Sequence, residues 1–304
     1  MKQLIFRFAL LLHTALVMSF ASPLYAQDDL LKKLDAEAPA PPPRHIIATF
    51  KGEKIINIES NETVKRKNLN FRVNHQFGNI GKESGGGFHN LYGFDQSNDI
   101  EIGFLYGITN RLMVGISRTK RNENLIGEIK YRLLEQSTDN KTPIAITYFG
   151  DMTYSMVDGA LVENTAKYRI TYLNELIFAR KLSGRLSIVL TPVYLHRNLV
   201  EAEDKNDLFV LSGGFRLKFT QSSSIIIDYS HTFREQEEGG EYHFYDPLGA
   251  GIEIETGGHV FTLMLTNAVG ILENDHMVNT TDDWAKGGMK FSFIISRVFK
   301  VSRE

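Results

Sequence analysis

The sequence predicts an all-β fold: a transmembrane antiparallel up-and-down β-barrel of about 12 strands. Two observations carry this. Segments with strict two-residue alternation of apolar and polar side chains recur along most of the chain, and the connections between them alternate between short and long. The clearest segment is 252–267, IEIETGGHVFTLMLTN. Ile252 and Ile254 alternate with Glu253 and Glu255, and Phe261, Leu263 and Leu265 with Thr262, Met264 and Thr266. The Thr256-Gly257-Gly258 break between them supplies the positive φ that a tight hairpin turn needs. Glutamates on one face and large aliphatics on the other suit a sheet with lipid outside and a wet lumen inside.

The N-terminus reads as a secretory signal over 1–26. Lys2 and Arg7 precede an apolar run over 8–20, and cleavage is expected after Leu24-Tyr25-Ala26. A membrane anchor would need a longer run. Residues 27–67 are expected to form a periplasmic linker or N-terminal segment. A short helix is expected over 28–37, stopped by Pro39, Pro41, Pro42 and Pro43. Residues 45–59 are rich in β-branched side chains but lack clean alternation. They admit two readings: a short extra hairpin, or a segment tucked into the barrel.

The barrel is expected over 68–304. Leu69, Phe71, Val73 and Phe77 alternate with Asn70, Arg72, Asn74 and Gln76. Ile100, Ile102, Phe104 and Tyr106 follow, then Leu112, Val114 and Ile116, then Leu125, Ile129, Tyr131 and Leu133. Further strands are marked by Ile144, Ile146 and Tyr148; by Tyr168, Ile170, Tyr172, Leu176 and Phe178; and by Leu186, Ile188, Leu190 and Tyr194. Next come Phe209, Leu211, Phe215 and Leu217, then Ile225, Ile227, Tyr229 and Phe233, the 252–267 hairpin, and Phe291, Phe293 and Ile295. Tight breaks at 109–110, 183–184, 220–223 and 256–258 alternate with longer polar connections at 78–98, 152–166, 198–206, 235–247 and 268–286. Outer-membrane barrels pair short periplasmic turns with long outer loops, and an even strand count puts both termini in the periplasm. Tyr106, Tyr131, Tyr148, Tyr168, Tyr194 and Phe233 are placed for interface girdles. Alternating aromatics near the end (Phe291, Phe293, Phe299) suit recognition by the barrel-assembly machinery.

Composition agrees with this architecture. No stretch after the signal approaches the length of a membrane helix, about 18 apolar residues. A mean hydropathy of −0.19 is what strands with one polar face give. The absence of Cys excludes disulfides, thiolate metal sites and a lipid anchor on an N-terminal Cys. A net charge of −2 argues against a nucleic-acid partner.

The chain resembles an uncharacterised family of membrane-bound β-barrel domains of Gram-negative bacteria. The likeness rests on Ala48-Thr49-Phe50-Lys51, FRVNHQFG at 71–78, Gly93-Phe94-Asp95-Gln96, YGITNRLMVG at 106–115, Ala179-Arg180-Lys181, His196-Arg197-Asn198-Leu199-Val200, residues 254–267 and ISRVF at 295–299. The resemblance implies an outer-membrane barrel surrounded by lipid. It implies no reaction, cofactor or site residue.

Candidate chemistry therefore comes from the inward faces. Arg72, Lys130, Arg132, Arg169, Arg216, Lys218, Arg234 and Lys290 are expected to point inward with Asp99, Glu101, Glu128, Glu175, Asp228, Glu253 and Glu255. The two signs nearly balance, which argues against a strongly ion-selective constriction. The set fits either a narrow passive channel for a small polar solute or a closed structural or binding barrel with a salt-bridged lumen. A rim lipid hydrolase would need a Ser–His pair, but Ser230 and His231 are adjacent in a strand and point to opposite faces. His75 and His196 read as interfacial aromatics. His89, His243 and His276 read as solvated loop residues, and Glu241, His243 and Asp246 make at most a weak metal site. No catalytic, cofactor or metal residue is assigned.

Overall fold

The computed structural model describes residues 45, 48–157, 166–200, 204–235 and 243–301. The expected signal peptide, the 28–37 helix and Glu241 lie outside the described residues. Twelve antiparallel strands form a closed barrel in meander order. They are β1 (Asn68–Asn79), β2 (Ser97–Gly107), β3 (Leu112–Thr119), β4 (Asn124–Leu134), β5 (Ala145–Ser155), β6 (Ile170–Lys181), β7 (Leu186–Arg197), β8 (Asp207–Lys218), β9 (Ser223–Phe233), β10 (Leu248–Thr256), β11 (His259–Thr266) and β12 (Lys290–Lys300). β1 closes on β12 with Val73 opposite Ile295 and Asn68 opposite Lys300. Closure leaves no sheet edge, which is the condition for a sheet to cross a bilayer with every backbone group paired. A span needs about 9–11 tilted residues, and the strands run from 8 to 12.

Alternation sets the two faces. Ile116, Leu190 and Phe209 are 55%, 51% and 62% exposed on the outer wall. Asn70, Arg72, Asn74 and Gln76 on β1 point inward and are buried. An inward polar row is buried only if something fills the lumen, and two inserts do. The first is an N-terminal hairpin, residues 49–64. Of the two dispositions left open for this part of the chain, it takes the one inside the barrel. It enters at the end that carries the short turns, where the Ser187 hydroxyl donates to the Thr49 carbonyl at 2.7 Å. It pairs Lys54 with Glu59, turns through Ile55–Ile58 with a 2.9 Å backbone bond, and leaves beside Gly107. There the chain passes so closely that a Cβ on Gly107 would meet the Lys65 carbonyl at 2.1 Å, so only glycine fits.

The second insert corrects an expectation. The β11–β12 connection reads as a solvated outer loop, yet it folds back into the barrel from the long-loop end. It carries the short helix α1 (Glu273–Asn279), which lies against β6 and β9. Glu273, Asn274, Asp275, His276, Met277 and Val278 are all buried. His276 is 0% exposed; it is not a loop-surface residue. Its ring meets the Asn57 carbonyl, so its own burial leaves no apolar trace in the sequence, although Met277 and Val278 beside it join the inner apolar cluster.

Candidate functional site: the lumen

The two inserts meet at mid-height. At the hairpin apex, Asp228 of β9 accepts hydrogen bonds from the backbone N–H of Ile56 (3.0 Å), Asn57 (2.7 Å) and Ile58 (3.2 Å). Its second oxygen accepts from Asn57 Nδ2 at 2.8 Å. One carboxylate thus satisfies the donors of a turn that has no strand partner. From the other side, His276 Nε2 donates to the Asn57 carbonyl at 3.1 Å. Lys54 lies 2.8 Å from Glu273 and 3.9 Å from Glu59 and donates to the Ile271 carbonyl at 3.3 Å. Gly249 of β10 admits the apex: a Cβ there would sit 2.5 Å from Ile56 Cγ2 and 2.7 Å from Asn57 Nδ2.

The wall grips the hairpin through charge. Lys130, fully buried, donates to Glu59 Oε2 at 2.5 Å and to the carbonyls of Glu53 and Ser60 at 2.9 and 3.1 Å. Arg72 reaches Glu101 at 2.7 Å, Glu128 at 3.7 Å and Glu59 at 3.8 Å. Arg132 binds Glu62 at 2.6 Å, Asn70 donates to Glu53 at 2.7 Å, and Glu255 pairs with Lys51 at 2.7 Å. Arg216 pairs with Glu253 at 2.7 Å. Such pairs at low exposure specify one position for the insert more than they add stability, because desolvation offsets much of the attraction.

The remaining inward charges do not join this network. Lys290 and Arg234 stand at the long-loop end: Lys290 binds Asp282, and Arg234 donates to the Val278 carbonyl at 2.9 Å. Arg169, expected inward, instead packs over the ring of Tyr154 on the outward side of β5. Lys218 closes β8 at the short-turn end. Asp99 accepts from the N–H groups of Arg121 and Ile271 at 2.8 and 3.1 Å, fixing the root of the inward loop. Glu175 is 1% exposed, and neither of its oxygens has a hydrogen-bond partner among the described residues. Asp151 of β5 is the inward carboxylate that the pattern missed. It accepts from Asn274 Nδ2 of α1 at 3.4 Å.

Burial sets the protonation of α1. It pushes the His276 imidazole down to about 3, with the Lys54 ammonium acting in the same direction. It pushes Asp275 up to about 7 against the pull of Arg121, and Glu273 is also raised by burial against the pull of Lys54. The signs oppose each other. His276 favours the docked helix above its free value, about 6.5, and loses that contribution as pH falls toward 3. The two carboxyls favour docking in acid and lose their contribution as pH rises, Asp275 through about 7. A tenfold change in proton affinity between the docked and released helix is worth about 1.4 kcal/mol. The D275N variant lacks one compensating proton uptake. Between pH 7 and 4 its α1 is expected to lose amide-exchange protection by a larger factor than in the wild type. Equal loss in the two proteins would contradict the assignment.

Among the described residues no rim triad assembles. Ser230 points inward to Ser212 Oγ at 2.8 Å, and His231 points outward to Asp246 at 2.8 Å. His196 likewise meets Asp207 at 2.7 Å across the β7–β8 register. Neither His–Asp pair is visible in the sequence pattern, because cross-strand partners depend on register. His75 stacks on Phe293 with ring centroids 5.5 Å apart. Among the described residues, no three His, Asp or Glu side chains converge on a position for a metal ion.

A closed sheet with an apolar outer wall and buried polar rows inside defines a membrane-spanning β-barrel. Residues 50–299 match the membrane bound beta barrel domain (DUF5777), and the chain belongs to that family. No curated protein is similar to it in sequence. Among solved structures the fold is similar to the NanC porin (TM-score 0.45, 8% identity, covering 76% of this chain and 98% of that one). It is also similar to the KdgM porin in complex with disordered oligogalacturonate (0.43, 8%, 78% and 99%). A third is Salmonella typhi OmpF in complex with daunomycin (0.36, 11%, 76% and 96%).

Proposed function

We propose that this protein is an outer-membrane channel for small polar solutes, held shut by the N-terminal hairpin and α1, with both chain termini on the periplasmic side. The observation that carries this reading is the nature of the block. The lumen is closed by a hairpin that lies outside the strand meander; ion pairs and hydrogen bonds fix it to β1, β4 and β9, and Phe50, Ile55, Ile56 and Ile58 pack in an apolar cluster with Ile177, Val193, Leu208 and Ile226 of the inner wall. Withdrawal would expose, beside that apolar patch, the buried charged row of Arg72, Glu101, Glu128 and Lys130, which water can hydrate. The alternative, a closed structural or binding barrel, is favoured by the low exposure of the ion pairs at mid-height. Planar-bilayer recording separates the two. The wild type is expected to be silent, and a full-length protein with the hairpin displaced is expected to conduct. The G249L substitution displaces it by occupying the space of the apex. Silence of folded G249L protein, with folding shown by heat-modifiable gel mobility, would favour the closed barrel. The reading assigns no reaction to the rim His–Asp pairs.

A further inference from the structure

The inward charges are sorted by height. Arg132, Lys218 and the Arg216–Glu253 pair lie toward the short-turn end, and Arg234, Lys290 and Asp99 toward the long-loop end. At mid-height the wall carries Glu101, Glu128, Asp151, Glu175 and Asp228 against only Arg72 and Lys130, all of them buried. The carboxylates do not converge as they would around a fixed metal ion; they are spread over β2, β4, β5, β6 and β9.

Two further observations show what this waist accepts. Buried oxygens without a donor face it. Besides Glu175, these include Glu101 Oε2, Asn274 Oδ1 and Asn74 Oδ1. Asn74 is 2% exposed and directly opposite Glu101 in the β1–β2 register. The waist also already holds a cation. The Lys54 ammonium sits there with its side chain 2% exposed, surrounded by the carboxylates of Glu273 and Glu59 and the carbonyl of Ile271.

We propose that the waist is a selectivity region for cations and that Lys54 is a tethered cation occupying it in the shut state. This rests on the channel reading above and adds the class of solute: inorganic monovalent cations and small organic ammonium ions, with anions rejected. Once the hairpin withdraws, its lysine leaves with it. The wall then presents five carboxylates to two cations in a narrow bore, where one sign of charge concentrates counter-ions. In the shut barrel Lys54 holds the place of that counter-ion, paired with Glu273 of α1 and Glu59 of its own hairpin.

The test uses full-length G249L protein in a planar bilayer under a KCl gradient, with the reversal potential as readout. The expected K⁺ to Cl⁻ permeability ratio is about ten or more. In G249L/D151N/E175Q, which keeps the wedge and removes two wall carboxylates, the ratio is expected to fall severalfold toward unity. A conducting G249L with a ratio near one, or with anion preference, would overturn the cation proposal and leave the channel standing. A ratio unchanged by D151N/E175Q would also overturn it, because the selectivity would then arise elsewhere. A folded G249L that does not conduct would overturn the channel reading itself.

Discussion

Replacing Lys130 by Met is expected to release the N-terminal hairpin from the lumen while leaving the barrel closed. Lys130 makes three contacts to the hairpin, one of them to the Glu59 carboxylate at 2.5 Å. Its ammonium also lies 5.4 Å from the Phe149 ring centroid. Removing one partner of a buried ion pair strands the other charge, and such losses run to about 3–5 kcal/mol. Little of that cost falls on the wall. The backbone of residue 130 still pairs with Met113 and Phe149 on its two neighbours, and Met fills a similar volume. The readout is amide exchange over 49–64 in the membrane-embedded protein, which is expected to accelerate by at least about a hundredfold. The K130M/E59Q double variant removes both charges. It is expected to recover part of the docking, because two neutral groups at contact distance leave no stranded ion. Full protection of the hairpin in K130M would show that this pair does not hold the insert.

The G249L wedge acts from the opposite wall and should have the larger effect on conductance. A Cβ at 249 already meets Ile56 Cγ2 at 2.5 Å, Asn57 Nδ2 at 2.7 Å and Asp228 Oδ1 at 2.8 Å. Leucine adds three more carbons. The least costly relief is withdrawal of the apex, which is not part of the hydrogen-bonded sheet and is held by hydrogen bonds to Asp228 and by the packing of Ile55, Ile56 and Ile58 in the inner apolar cluster. Overpacking of this kind typically costs about 1–3 kcal/mol when the neighbours can yield. The four hydrogen bonds to Asp228 are lost together. Conductance is expected in G249L and absent in the wild type. The matched control is G127L: Gly127 is exposed on the outer wall, and a Cβ there would have nothing within 4 Å, so that variant should stay silent. Conductance in both variants would mean that substitution at a strand glycine opens the barrel without displacing the hairpin.

The barrel was legible in the sequence because lipid outside and polar groups inside force a two-residue period on each strand. That period survives irregular loops. It places Arg72, Lys130, Arg216, Asp228 and Glu253 on the inward face without any knowledge of their partners. The partners were not legible. Residues 49–64 mix Ile55, Ile56 and Ile58 with Glu53, Lys54 and Glu59. A hairpin that meets charged wall residues on β1 and β4 and an apolar inner patch on β6–β9 has no single two-sided pattern to follow. Helix α1 is hidden for the same reason: ENDHMVN has the composition of a solvated loop, and its groups are satisfied by Asn57, Lys54 and Asp151 instead of water. The near balance of inward charge counted along the chain hid their sorting by height, which follows from where each residue falls in its strand. Asp151 escaped notice because Phe149 and Gly150 interrupt the polar-in, apolar-out order of β5 just before it.

The central claim is that residues 49–64 lie inside the barrel and fill it. Hydrogen exchange of those amides in the full-length protein, reconstituted in lipid at neutral pH, tests this most directly. The N–H groups of Ile56, Asn57 and Ile58, bonded to Asp228, and that of Ser60, bonded to the Glu53 carbonyl at 2.8 Å, are expected to exchange at least about a thousandfold more slowly than in a free peptide. Exchange at the free-peptide rate across the segment, from a barrel whose strand amides are protected, would place the hairpin outside and contradict the account.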